Sequence, residues 1–476
     1  MSNTVTSAFI DLATFDEIEK YLYNGPTAIT YFVRCVRKST WFAQVPVPLT
    51  QNAGNPQFNG DVAFQISRAG DYLLHVWLRA TLPAISISQT SSGGTGIRWA
   101  ANIGHNLIDL TWISFNDLKV QEFDSFWLDM WSAFTVSASK RNGYNNMIGN
   151  VADLTNTTLS LPAYTVNIPL PYFFTRDTGI ALPTAALPYN EMRIHFEFRN
   201  WNELLIFDGN AGPNDLNANS ANPQLTSVQL WANYAVVSNE ERVKMGKCPR
   251  DMVIEQVQRH GGRAFNAASV GINSNAVFDI RFSHSIKALF WNVCNSTICN
   301  STNGNQAREW SNYTTGGVCS DEPNNNQVIN GLDGTDPISL SSLLYENTYR
   351  LFDMGSDYFS LVQPWFFWTS IPEETGYHVY SFALEPESMD PTASTNFGKL
   401  TNVSLQLTPS QDAVDAVGST IPQQFQVYIR ALNFNVVRVS GGALGLKASP
   451  QKYCASEMLD LSLEKRLVSN TPVWVR

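Results

Sequence analysis

From about Thr30 onward, apolar and polar side chains alternate with a period of two, the pattern of half-buried β-strands. Phe64 and Ile66 alternate against polar neighbours, and residues 71–80 form a longer run. Ile194, Phe196 and Phe198 face one way, while Arg193, His195, Glu197 and Arg199 face the other. Residues 107–120 and 228–237 complete the first half. Residues 252–258, 278–280, 286–293, 342–351, 377–384, 400–407 and 425–439 give strands in the second. Tyr31-Phe32-Val33 is expected to open the first strand. Two segments break the period. Phe126, Trp127, Met130, Trp131 and Phe134 recur at helical spacing after a cap at Asp124 or Ser125. Near the N-terminus, Thr14 and Glu17 stand at capping-box spacing, and Phe15, Ile18, Tyr21 and Leu22 share one helical face before Gly25-Pro26. The start of residues 358–368 is a further helical candidate.

The two halves echo each other. Phe64, Ile66 and Trp77 match Phe278, Ile280 and Trp291 at a constant offset of 214. Pro183-Thr184-Ala185 returns as Pro391-Thr392-Ala393, and Asn233-Tyr234 with Val236-Val237 returns as Asn433-Phe434 with Val436-Val437. A fold-sized repeat in this order implies one β-domain built twice. The charged connector 238–250, ending at Cys248-Pro249, marks the join. The expected organisation is an N-terminal arm at 1–26, a first jelly roll at 27–240, a second at 250–445 and a C-terminal tail at 446–476. The fold class is therefore all-β: two tandem eight-stranded jelly rolls with short helices in their loops.

A length of 476 residues suits two domains, and aromatic residues at 12% can fill large sandwich cores and subunit contacts. The net charge of −10 argues against a nucleic-acid partner. The first residues have neither a basic region nor an apolar run, so no signal peptide is expected, and no stretch reaches membrane-spanning length. Six cysteines read as free thiols in a reducing compartment.

Candidate chemistry is sparse. His195-Phe196-Glu197 offers a single histidine where a cupin-type metal site needs two. Cys294, Cys299 and Cys319 lack a fourth ligand and C-x-x-C spacing, which leaves a metal site or a disulfide as the lesser alternatives to thiols. Glu373-Glu374 follows Pro372 in a turn and reads as solvated charge. Gly441-Gly442-Ala443-Leu444-Gly445 lacks the lysine and the helix of a phosphate loop. Asn156, Asn295, Asn300, Asn312 and Asn402 begin N-x-[ST] triplets, which an Asn/Ser/Thr-rich loop also produces by chance. No catalytic, cofactor-binding or metal residue is assigned, no cofactor is expected, and the chain is read as a non-enzyme. The alternatives are a carbohydrate-binding protein or a hydrolytic two-domain β-sandwich.

Several segments carry a family resemblance. They are Phe9-Ile10-Asp11-Leu12-Ala13-Thr14-Phe15, Ser67-Arg68-Ala69-Gly70-Asp71-Tyr72, Asn142 to Asn150, and Leu187-Pro188-Tyr189-Asn190-Glu191. In the second half they are residues 251–256, Arg281-Phe282-Ser283-His284, Gln363-Pro364-Trp365-Phe366 and Ser394-Thr395-Asn396-Phe397-Gly398. From about residue 8 to about 445 the chain resembles major capsid proteins of nucleocytoplasmic large DNA viruses, especially the iridovirus and marseillevirus branch. The resemblance implies a double jelly roll that forms homotrimers, pseudo-hexagonal capsomers that tile an icosahedral shell. It implies neighbouring capsomers, minor capsid proteins and penton proteins as partners, with an internal membrane beneath. It places the chain, as a late protein, in a virion assembled in the host cytoplasm, with loop 294–336 pointing outward as a turret.

Overall fold

The computed structural model describes residues 2–446, other than 35, 37, 89–94, 210, 218–221, 299–305, 317–333 and 419–421. Cys299, Cys319, Asn300 and the tail from 447 onward lie outside the described residues. The chain divides into two units: Trp41–Lys447, and a second whose described part is the N-terminal arm.

The arm holds two helices, α1 (Ser2–Ala13) and α2 (Glu17–Tyr23). The expected single helix starting at Thr14 is thus corrected. Asp16, not Thr14, is the N-cap of α2: it accepts from the Ile18 amide, and Glu19 closes the capping box. Asp16 and Glu19 offer the same three-residue spacing, while the Thr14 hydroxyl is used by the Asp11 carbonyl at the end of α1. Tyr31-Phe32-Val33 forms turn rather than strand.

In the larger unit, the first half builds a four-stranded sheet, Phe42–Pro48, Ser227–Val237, Tyr72–Leu82 and Tyr164–Pro169 in spatial order. A five-stranded sheet runs Thr50–Gly54, Asp61–Gln65, Met192–Phe198, Ile108–Phe115, Leu118–Asp124. The strand Phe42–Pro48 carries Pro46 and Pro48 and lies at the sheet edge, the place that tolerates residues without an amide proton. Those prolines hide it from a pattern search.

In the second half one sheet orders Arg250–Ala264, Phe425–Ser440, Ser285–Asn295 and Tyr377–Ser381, with two short strands attached. The other orders Ala276–Asp279, Val403–Pro409, Ile338–Tyr345 and Thr348–Gly355. Leave aside the extra edge strand Thr50–Gly54 of the first half and the two short attached strands of the second, and number the eight remaining strands of these sheets along the chain in each half. Both halves then read 1-8-3-6 in one sheet and 2-7-4-5 in the other. This is a double jelly roll: one topology, used twice. No sheet among the described residues mixes strands from the two halves. The connector between them is a helix, Asn239–Lys247. Asp71 ties it back, accepting from Arg242 Nε at 2.7 Å and from the Val237 amide at 2.9 Å.

The echoes at Phe64/Phe278, Trp77/Trp291 and Asn233/Asn433 fall on equivalent strands, with one correction, while Pro183-Thr184-Ala185 and Pro391-Thr392-Ala393 lie outside strands. Trp77 lies between inward-facing Val76 and Leu78, so it faces outward and stacks on Trp231 at 6.1 Å. Trp291 faces inward against Phe359 at 4.8 Å. A one-residue offset within a strand moves a side chain to the opposite face. Between strands 5 and 6 of the first roll stand two long helices, followed by the short helix Ala152–Thr155. The long helices are Ser125–Thr135, whose N-cap Asp124 accepts from the Trp127 amide, and Ala138–Ile148.

Candidate assembly surfaces and the seam between the rolls

The sheet 1-8-3-6 of the second roll is covered on both faces. In Ser285–Asn295, Leu289, Trp291 and Val293 join the second roll's own core, while Ala288, Phe290 and Cys294 join the core of the first. Phe425–Ser440 does the same: Val427, Ile429 and Ala431 face inward, Tyr428 and Leu432 face the first roll. Alternation therefore vanishes and the strand reads as a continuous apolar run. Aromatic contacts from the helix Ser125–Thr135 fill the seam. Phe126 stacks on Tyr428 at 3.8 Å, Trp127 meets Phe290 edge-on at 5.1 Å, and Phe134 meets Phe290 at 5.8 Å and Tyr377 at 6.5 Å.

Charged side chains are buried in this apolar seam as pairs. Arg430 is bound to Asp124, with Nε 3.2 Å from Oδ1, and it donates to the His260 carbonyl at 2.7 Å. Burial alone would raise the Asp124 carboxyl, but the charge and hydrogen bonds of Arg430 outweigh it and hold it below the usual carboxylate value. Glu255 receives Arg176 at 2.6 Å and also pairs with the fully buried Lys287. Burial pushes the Lys287 ammonium below its ordinary value, and Glu255 opposes this. Arg98 pairs with Asp208 at 2.9 Å and with Glu309 of the second half. Buried charges left unpaired are costly, so the pairs that cross between the halves, Arg430–Asp124, Arg176–Glu255 and Arg98–Glu309, fix how the rolls fit together. The sequence reading gave none of these residues an ion-pair role: Asp124 stood only as a helix-cap candidate and Glu255 only within the segment 251–256. A signal existed: Lys287, Arg430 and Arg98 each interrupt an apolar strand.

A second buried cluster centres on Asp129. Its oxygens accept from Ser311 Oγ at 2.5 Å and Tyr313 OH at 3.1 Å, and lie 2.5 Å from His105 Nδ1. His105 Nε2 lies 2.7 Å from Tyr144 OH. The hydroxyl Ser311 Oγ bonds the carboxylate rather than the imidazole, which is not the arrangement of an activated nucleophile. Ser311 and Tyr313 belong to the loop expected to form a turret. Its described residues 306–316 pack instead into the seam, with Glu309, Ser311, Tyr313 and Thr314 buried. Two N-x-T triplets act here as turn clamps. Asn295 Oδ1 accepts from both the amide and the hydroxyl of Thr297, and Asn312 Oδ1 does so from Thr314. Both asparagines are buried, whereas Asn156 and Asn402 are exposed.

Glu374 differs from its reading as solvated charge. It is half-buried beside Asp129, Arg141 and Tyr377, and burial, reinforced by Asp129, Glu373 and Glu309, pushes its carboxyl up to about 8. His195 stacks on Trp112 at 4.8 Å and lies 3.0 Å from Ser114 Oγ. Cys294 donates to the Trp310 carbonyl, and burial pushes its thiol up to about 11. Among the described residues no group of three His, Cys, Asp or Glu side chains is placed to hold a metal ion.

The segments that carry the family resemblance meet in pairs. Arg68 donates to the carbonyls of Leu187 at 2.9 Å and Asn190 at 2.7 Å, and Asn190 Oδ1 accepts from the Leu444 amide at 2.9 Å. Two segments of the first roll thus clasp the last hairpin of the second. The segment 281–284 meets 394–398 where Phe397 donates to the His284 carbonyl at 3.2 Å.

Comparison with known proteins agrees with this geometry. Residues 30–237 match the family described as major capsid protein N-terminus, and residues 241–445 match large eukaryotic DNA virus major capsid protein. The major capsid protein of Tipula iridescent virus is 50% identical over 476 residues, covering 95% of this chain and 99% of its own. That of Lymphocystis disease virus 1 is 45% identical, covering 93% and 98%. A chain of the PBCV-1 virus capsid shares the fold with a TM-score of 0.70 at 23% identity, covering 88% of this chain and 100% of its own. The Faustovirus major capsid protein does so with a TM-score of 0.67 at 11% identity, covering 89% and 94%. Fold and seam together define a double jelly-roll capsid subunit. The chain belongs to the major capsid proteins of large eukaryotic DNA viruses, and its place is the capsid of the virion.

Proposed function

We propose that three copies of this chain form a capsomer of pseudo-hexagonal outline that tiles an icosahedral shell, acting as structure and not as a catalyst. One observation carries the reading: both halves use the strand order 1-8-3-6 and 2-7-4-5. Three chains around a threefold axis then supply six units of one topology, and a six-sided tile covers flat facets. This gives a physical reason for fusing two copies of one domain. The two family matches, ending at 237 and resuming at 241, support drawing the domains as an arm at 1–26, rolls at 27–240 and 250–445, and a tail at 446–476. Neighbouring capsomers, penton proteins and minor capsid proteins are the partners this role requires. The arm is assigned to the minor proteins beneath the shell, near an internal membrane. A net charge of −10 suits a shell that leaves nucleic acid untouched. Light scattering on the purified chain tests the core of the reading. A mass three times the 53.0 kDa of the chain is expected, and a monomer at micromolar concentration overturns it.

A further inference from the structure

The seam within the chain has a counterpart that the chain leaves open. In the seam, the outer face of sheet 1-8-3-6 of the second roll rests on the helix that follows strand 5 of the first, through Phe290, Tyr428 and Tyr377. The second roll also has a helical segment after its strand 5: a π-turn at Tyr358–Val362 continues into Gln363–Phe367. Here the outward side chains are uncovered. Trp365 and Phe366 are each 71% exposed, and Leu361 is 52% exposed. Phe352, on the preceding strand, is 60% exposed. Large aromatics clustered in the open mark a contact surface.

The matching half of the contact lies on the first roll. The outer face of its sheet 1-8-3-6 presents His75 and Trp77 from strand 3, Trp231 from strand 8 and Pro169 from strand 6. Among the described residues, no second jelly roll covers this face. A mainly apolar groove of about 460 Å³ opens there, lined by His75, Trp77 and Pro169 on the sheet, with Trp131 and Met147 on the neighbouring helices and Val136 between them. Strands 3 and 6 are the ones that receive Trp127 and Phe134 in the seam, by way of Phe290 and Tyr377. Groove and exposed helix therefore occupy, in the two rolls, the positions that the seam joins.

We propose that Trp365 and Phe366 of one copy seat in the groove at His75, Trp77 and Pro169 of the next, so that the contact between chains repeats the contact within a chain. This inference rests on the trimer reading and names its surfaces. Such a contact is head-to-tail, and after three copies the rotation closes. Every junction between rolls, inside or between chains, is then a sheet face on a helix.

The test uses full-length protein. Trp365→Glu combined with Phe366→Glu charges the helix side. Met147→Arg, at a side chain already 39% exposed, charges the groove side, and Trp77→Glu is a second groove variant. Melting curves establish that each variant folds. Each variant alone is expected to raise the protein concentration at which trimers dissociate at least tenfold. An equal mixture of the helix variant and a groove variant retains one sound contact per pair, and dimers are expected. A folded helix variant that stays trimeric like the wild type, or a mixture that yields no dimer, overturns the proposed surfaces while leaving the trimer standing. A monomeric wild type removes the trimer reading and these surfaces with it.

Discussion

Asp124 does two things at one position. It caps the helix Ser125–Thr135 through the Trp127 amide and neutralises the buried Arg430. Asp124→Asn keeps most of the shape and removes the charge, leaving a guanidinium in the seam without its counter-ion. Loss of about 3–5 kcal/mol is expected, read as a lower denaturant midpoint. Because the carboxyl is held below its usual value, its contribution is present above about pH 4 and fades as pH falls through the lowered folded-state value. Glu374 has the opposite sign. Its carboxyl is raised in the folded state, so unfolding releases a proton between the ordinary value of 4.5 and about 8, and stability declines as pH climbs through that window. Glu374→Gln is expected to raise the melting temperature by a few degrees at pH 8 and to match the wild type below pH 4. An unchanged melting temperature at pH 8 would show that the carboxyl is solvated after all.

Elements that alternate were legible, and elements covered on both faces or broken by proline were less so. Met192–Phe198 has strict alternation of burial, as its sequence implies. Ser285–Asn295 is buried almost throughout, because a second roll lies on the face that would otherwise meet water. Phe42–Pro48 escaped notice because its prolines imitate a loop. The segment 342–351 was read as one strand but is a hairpin, Ile338–Tyr345 and Thr348–Gly355, with Glu346 and Asn347 at positive φ in the turn. The turn leading into Tyr377–Ser381 shows how tightly elements meet. Gly376 has φ +93°, and a Cβ there would lie 2.1 Å from the Tyr313 carbonyl oxygen. Gly376→Ala must strain the backbone and push away the segment that carries Tyr313. A cost of at least about 1–3 kcal/mol is expected, measurable as a lower unfolding midpoint.

At the scale of the whole molecule, the repeat makes the function intelligible. A single jelly roll offers one sheet face and one helix, and a tandem pair joins one of each internally and leaves one of each free. That inventory matches a ring in which every junction is alike. The resemblance segments were readable in the sequence, but their role was not. Arg68 and Asn190 are far apart along the chain, and only folding shows that they clasp the hairpin at Leu444. Residues 306–316 belong to the loop 294–336 that the family resemblance pointed outward as a turret, and they lie in the seam because Glu309 and Tyr313 find buried partners there.

By itself the sequence determined the strand-rich fold, the duplication and the capsid family, because periodicity, repeated order and short segments are local properties of the chain. Only the tertiary structure decided which face of each strand meets which neighbour. Side-chain direction in a strand turns over with a single residue of register, and a polar loop is drawn inside only when distant charges are there to receive it. The seam pairs Asp124–Arg430 and Arg176–Glu255 depend on both, since each joins residues that the fold brings together from distant parts of the chain.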